Sequence, residues 1–167
     1  MKQNKKPTIY TVATAHLDTV WNWDFETTVR KYIPATLQEN FRLFEKYPDY
    51  VFSFEGSRRY ELMEEYYPED FEKLRRYIAA NRWFVAGSAY ENGDVNVPSP
   101  EALFRNILYG NHYFLEKFSK TSLDIYLPDC FGFGYALPSI IKHAGLLGFT
   151  TQKLTWSSAY GIPFDLG

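Results

Sequence analysis

Apolar residues follow two rhythms along this chain: short consecutive runs, and longer stretches with an apolar side chain every three or four positions. The first pattern reads as strands buried on both faces, the second as amphipathic helices. Ile9–Ala15 gives a first strand. Val29, Ile33, Leu37, Phe41 and Phe44 then mark one face of a long helix from about Thr27 to Tyr47. Pro34 lies inside that stretch and predicts a kink or a later start. Val51–Phe54 gives a second strand. Tyr60, Leu62 and Met63 mark a helix that breaks near Pro68, and Phe71, Leu74 and Ile78 mark another over Glu69–Asn81.

Trp83–Gly87 reads as a third strand, and the Gly-, Asn-, Asp- and Ser-rich segment Ser88–Pro98 as a loop. Ser99 can cap the free N–H groups of the next helix, with Pro100 at its first position. Leu103, Ile107, Leu108 and Phe114 form that helix's expected buried face. Leu123–Leu127 gives a fourth strand, Pro138–Ala144 a short helix and Gly148–Lys153 a fifth strand. Strands separated by helices predict an α/β fold, a parallel-stranded sheet with flanking helices. Five parallel strands do not readily close a barrel. The expectation is therefore either an open doubly wound sheet or the leading part of a larger domain.

Composition narrows the function. A length of 167 residues suffices for one domain with a real core. Aromatic residues make up 19% of the chain, about double ordinary usage. Such a surplus fills a core with rings, or supplies flat platforms for sugar faces. The net charge is −2 and no basic block stands out, which leaves nucleic-acid binding without electrostatic support. Met1–Lys6 reads as a short solvated lead. No apolar run of about 18 residues would span a membrane, and no secretory leader pattern is visible. Cys130 is the single cysteine, so no internal disulfide can form. The expected setting is cytoplasmic.

The chemistry begins where the first strand ends, at His16-Leu17-Asp18. Alternate side chains of an extended segment share a face, so His16 and Asp18 project together while Leu17 turns away. Asp129 follows the fourth strand, and loops at the carboxyl ends of parallel strands are where α/β folds place their sites. One imidazole and two carboxylates make three members of a divalent-metal site. Trp21 could add a flat apolar ring beside the ion. Glu91 and Asp94 could reach a substrate or simply be solvated. Lys153 either pairs with Asp129 or lies on the surface. Cys130 reads as a wall residue, Asp124 as a turn residue, and His112 and His143 as structural. Phe131-Gly132-Phe133-Gly134 lacks the Lys-Ser/Thr of a phosphate loop.

The ordered set His16-Leu17-Asp18 with Trp21, Asn96-Val97-Pro98-Ser99 with Glu101, Asp129-Cys130-Phe131-Gly132 and Thr151-Gln152-Lys153-Leu154-Thr155-Trp156 resembles the α-mannosidases of glycoside hydrolase family 38. The resemblance implies the N-terminal portion of a catalytic domain over residues 1–167, the start of an irregular (β/α) barrel. It implies a zinc ion held by His16, Asp18 and Asp129, with Asp129 also the nucleophile of retaining hydrolysis of α-mannosidic linkages. Trp21, Phe131 and Lys153 would contact the sugar. The implied partner is a mannose-containing oligosaccharide, and assembly of the longer protein into homo-oligomers stays open. The family's further His ligand and its general acid match nothing here, so the chain alone is expected to be nearly inactive. Two other readings stand beside this one: a metal-dependent carbohydrate deacetylase, and a non-catalytic sugar-binding domain.

Overall fold

A computed structural model describes residues 7–153. Strands β1 (Ala13–Ala15), β2 (Phe52–Glu55) and β3 (Trp83–Ala86) form a parallel sheet in that order. Strands β4 (Asp124–Tyr126) and β5 (Gly148–Thr150) form a second parallel pair. The fold is α/β, with every strand pairing parallel and helices between the strands. Asp124 at the start of β4 bonds the turn after β3, so β4 lies on the β3 side. Strand order thus follows the sequence, as in the wall of a (β/α) barrel, whereas the doubly wound order 3-2-1-4 would put β4 beside β1. The open doubly wound alternative is set aside on that ground.

The strands are shorter than their apolar runs. Ile9, Tyr10 and Val12 precede β1 and stay largely exposed, because only residues 13–15 find a neighbour in β2. The fifth strand likewise ends at Thr150. The predicted features at Met1–Lys6 and Leu154–Trp156 lie outside the described residues.

Asp24 caps α1 (Phe25–Thr27) by accepting the Thr27 N–H at 2.8 Å. A π-helical turn, Thr28–Tyr32, joins it to α2 (Ile33–Lys46). The Ile33 N–H reaches back five residues to the Thr28 carbonyl. Pro34, which has no N–H, then sits in the first turn of α2, where none is required. The predicted long helix is thus realised with a change of pitch before the proline. Helices α3 (Ser57–Tyr66) and α4 (Pro68–Ala79) divide at Tyr67, as Pro68 predicts.

Ser99 caps α5 (Pro100–Phe118) through the Ala102 N–H. The buried face of α5 runs through Leu103, Ile107, Gly110 and Phe114. Leu108, expected there, is 62% exposed, because one residue beyond Ile107 turns it about 100° outward. A short helix, α6 (Leu137–His143), precedes β5.

Two apolar clusters fill the molecule. The first is aromatic, with Phe41, Phe44, Phe52, Phe54, Tyr60, Phe71, Trp83 and Phe114 packed among Ile33, Leu37, Leu62, Met63 and Leu74. The ring surplus in the sequence goes mainly here. The second cluster is smaller and mostly aliphatic, centred on Leu103, Ile107, Ile125, Leu127, Leu137 and Ile140.

Helix α5 presses on both clusters. At Gly110 an added Cβ would lie 2.1 Å from the Ser88 carbonyl oxygen, so only glycine permits this approach. Asn106, one turn earlier, accepts from the Tyr90 and Glu91 N–H groups and donates to the Glu91 carbonyl, fixing the loop after β3. Asp124 joins the two sheets: its carbonyl accepts the Ser88 N–H at 2.9 Å and its side chain the Gly87 N–H at 3.2 Å. It also accepts from Ser122. Its role is therefore wider than the turn its sequence position suggests.

Candidate functional site

His16 and Asp18 emerge just past the carboxyl end of β1. Thr14, two residues earlier on the same face, has its hydroxyl 3.2 Å from that of Tyr126 on β4. The face carrying His16 therefore looks across to β4, and the chain after β4 delivers Asp129. One ligand atom from each of His16, Asp18 and Asp129 lies within 4.8 Å of the others. All three are partly buried. They open onto a cleft of about 190 Å³ whose remaining walls include Asn92, Asp94, Pro128, Cys130 and Phe131. The sequence-predicted convergence of the two aspartates with the histidine is present.

The donor set suits zinc: one imidazole nitrogen and two carboxylate oxygens. Tetrahedral ligands at about 2.0–2.2 Å from zinc sit about 3.4 Å from one another. His16 Nε2 and Asp18 Oδ1, 3.2 Å apart, already have that spacing. The opposite ring nitrogen, Nδ1, is held by Glu55 Oε1. Burial opposes a positive charge on His16, but the hydrogen bond to Glu55 and the charges of Glu55 and Asp18 outweigh it and raise its pKa. Burial likewise pushes the Glu55 carboxyl up, against the opposing pull of His16.

Lys153 pairs with Asp129 Oδ1, and its Nζ lies 4.4 Å from the centre of the Phe131 ring. Phe131 itself is exposed on the cleft wall. Trp21 stands apart: it is 69% exposed, meets Trp23 edge-on at 5.9 Å and does not line the cleft. Cys130 is a buried wall residue. Asp94 accepts the Asn96 and Val97 N–H groups, which ties up its loop while leaving it on the cleft. His112 lies exposed beside Glu116, and His143 packs edge-on to Phe104.

With this geometry in view, the sequence itself is decisive: residues 6–165 match the glycosyl hydrolases family 38 N-terminal domain. The chain belongs to glycosyl hydrolase family 38. It is 31% identical over 155 residues to alpha-mannosidase G of Dictyostelium discoideum, an alignment covering 93% of this chain and 14% of that protein. Alpha-mannosidase 2C1 of Homo sapiens is also 31% identical, over 93% of this chain and 15% of its own length. The chain thus spans about one seventh of the curated family members it matches. The crystal structure of an alpha-mannosidase from Enterococcus faecalis V583 superposes with a TM-score of 0.75 over 84% of this chain and 16% of that one, at 22% identity. That likeness places the fold in the family's company.

Two residues beneath the site escaped the sequence reading. Glu55, at the end of β2, is wholly buried, and Arg59, in the first turns of α3, is 1% exposed. Arg59 donates twice to the Leu17 carbonyl, at 2.9 and 2.7 Å, and also pairs with Glu91. It clamps the backbone between His16 and Asp18, just past the end of β1. Glu91, weighed in the sequence as a substrate contact, is occupied by this guanidinium and by the Thr19 hydroxyl. Glu55 could have been suspected as an acid closing an apolar strand; Arg59 carries no such signal, since a charged residue early in a helix is ordinary.

Proposed function

We propose that this chain forms the leading part of a zinc-dependent, retaining α-mannosidase site in which Asp129 is the nucleophile. The observation that carries the reading is the convergence of His16, Asp18 and Asp129 on one cleft in a family 38 chain. A zinc ion held there would supply Lewis acidity and a fixed point for neighbouring sugar hydroxyls.

The chain's own residues do the rest. The Asp129 carboxylate attacks the anomeric carbon as the bond to the leaving oxygen breaks, giving a glycosyl ester on Asp129; water later displaces that carboxylate and releases mannose. Lys153 steadies the Asp129 carboxylate through their ion pair. Phe131 offers an apolar face to the sugar, and Asn92 and Asp94 line the cleft beside it. We assign the proton for the leaving oxygen, a contribution of roughly 10²–10⁴ in rate, to a residue that is not among the described ones. Catalysis therefore belongs to the longer protein, and Trp21 would join the substrate surface only when further residues complete the rim.

The purified chain should take up about one zinc ion per molecule by elemental analysis. H16A or D129A should weaken uptake by more than the roughly 10–100-fold that an outer partner of a ligand contributes. In the longer protein, a fluorinated mannosyl trapping reagent should leave its label on Asp129. Absence of zinc uptake, or a label on another residue, overturns the reading.

A further inference from the structure

A buried carboxylate is expensive unless it is paired, and the pairing usually explains why it is kept. Glu55 has no exposed surface. Its Oε1 is directed at His16 Nδ1, while its Oε2 has no hydrogen-bond partner among the described residues. The nearby cation Arg59 spends its hydrogen bonds on Leu17 and Glu91 instead. The far side of the imidazole is thus the main engagement of this carboxylate, with Asn92 a weaker neighbour. Its place is fixed by the backbone. Glu55 is the last residue of β2, in register with Ala86 of β3, and Gly56 follows with φ +72° to turn the chain into α3.

We propose that Glu55 is a positioning residue for the metal centre, holding the proton of His16 on Nδ1 so that the Nε2 lone pair faces Asp18 and Asp129. This rests on the metal reading above and adds to it the group that orients one ligand. The physical reason is tautomer choice: a neutral imidazole offers one donor and one acceptor, and an acceptor fixed at Nδ1 makes Nε2 the ligand atom. The same contact fixes the ring plane. Ring rotation would have to abandon a buried carboxylate.

The test is a cobalt(II) titration of the 167-residue chain, followed by its visible absorption bands, for wild type, H16A, E55L and E55Q. Wild type should bind one ion saturably and H16A should not. E55L, which replaces the charge by an apolar side chain of similar size, should bind about 10–100-fold more weakly. Its urea midpoint should stay level or rise, since it removes a costly buried charge. E55Q keeps an acceptor for Nδ1–H and should fall within a few-fold of wild type. In metal-free protein at pH 9, ¹⁵N shifts should report His16 protonated at Nδ1 in wild type and E55Q, and in E55L a shift toward the Nε2–H tautomer, which the Asp18 carboxylate 3.2 Å from Nε2 then favours. Wild-type affinity and tautomer in E55L would overturn the role of Glu55 while leaving the metal centre standing. Failure of wild type to bind cobalt would overturn both.

Discussion

The two apolar clusters solve the same problem with different materials. Beneath β1–β3, rings interlock edge-on and stacked: Trp83 alone meets Phe44, Phe52, Phe54 and Tyr60, and its indole N–H reaches the Tyr60 hydroxyl at 2.9 Å. Beneath β4 and β5, branched aliphatic chains do the filling. The first cluster is broad and nearly closed to water. The second is thinner, and Leu123, Leu147 and Phe149 at its edge remain exposed. The candidate metal ligands straddle the division, two from the aromatic side and one from the aliphatic side. The site therefore inherits its rigidity from one half and depends on the join for the other.

Three experiments would sharpen that contrast. W83A should produce the largest loss, about 3–5 kcal/mol by urea denaturation, because it empties the centre of the ring cluster. I125A should cost less, about 2 kcal/mol, since a thinner cluster can collapse around the gap. A comparable loss in both would show that the clusters are energetically alike. D124A should cost about 1 kcal/mol by leaving the Gly87 N–H without its acceptor. Its sharper sign would be weaker zinc uptake, because Asp129 follows five residues later.

The smallest effect belongs to Asp24, the exposed cap of α1. Hydrogen bonding from Thr27 holds its carboxyl below the ordinary value. The cap's charge-dependent contribution is thus complete above the unfolded pKa and fades as pH falls through the lower folded one. D24N should open a small gap in Tm at pH 6 that closes toward pH 2, measured by thermal denaturation. A gap that widened on acidification would contradict this sign.

Much of this arrangement was readable in the residues because its causes are local. Period-three and period-four spacing put Ile33, Leu37 and Phe41 inside, Ser99 and Pro100 announced a helix start, and strand alternation set His16 beside Asp18. The reach of Asp129 toward that pair was legible once parallel strands were inferred, since their carboxyl ends share one side. What stayed hidden depends on distant partners. No local rule distinguishes Arg59 from a solvated helical arginine until the Leu17 carbonyl is seen above it. Leu108 was misplaced because a single step of rotation separates the inside of α5 from its outside. The length of β1 depends on how far β2 accompanies it, which no property of Ile9 or Tyr10 encodes.

The contact between Asp124 and the turn after β3 has a mechanical consequence. No ladder of strand bonds runs between β3 and β4 among the described residues; beside the packing of α5 on both clusters, the backbone and carboxylate of one aspartate bond the turn after β3 to β4. An attachment of that kind is a pivot, whereas a ladder is a rail. Slight tilting about it would widen or narrow the gap between His16 and Asp129, so a change at position 124 can act on the candidate site without touching any residue that lines the cleft.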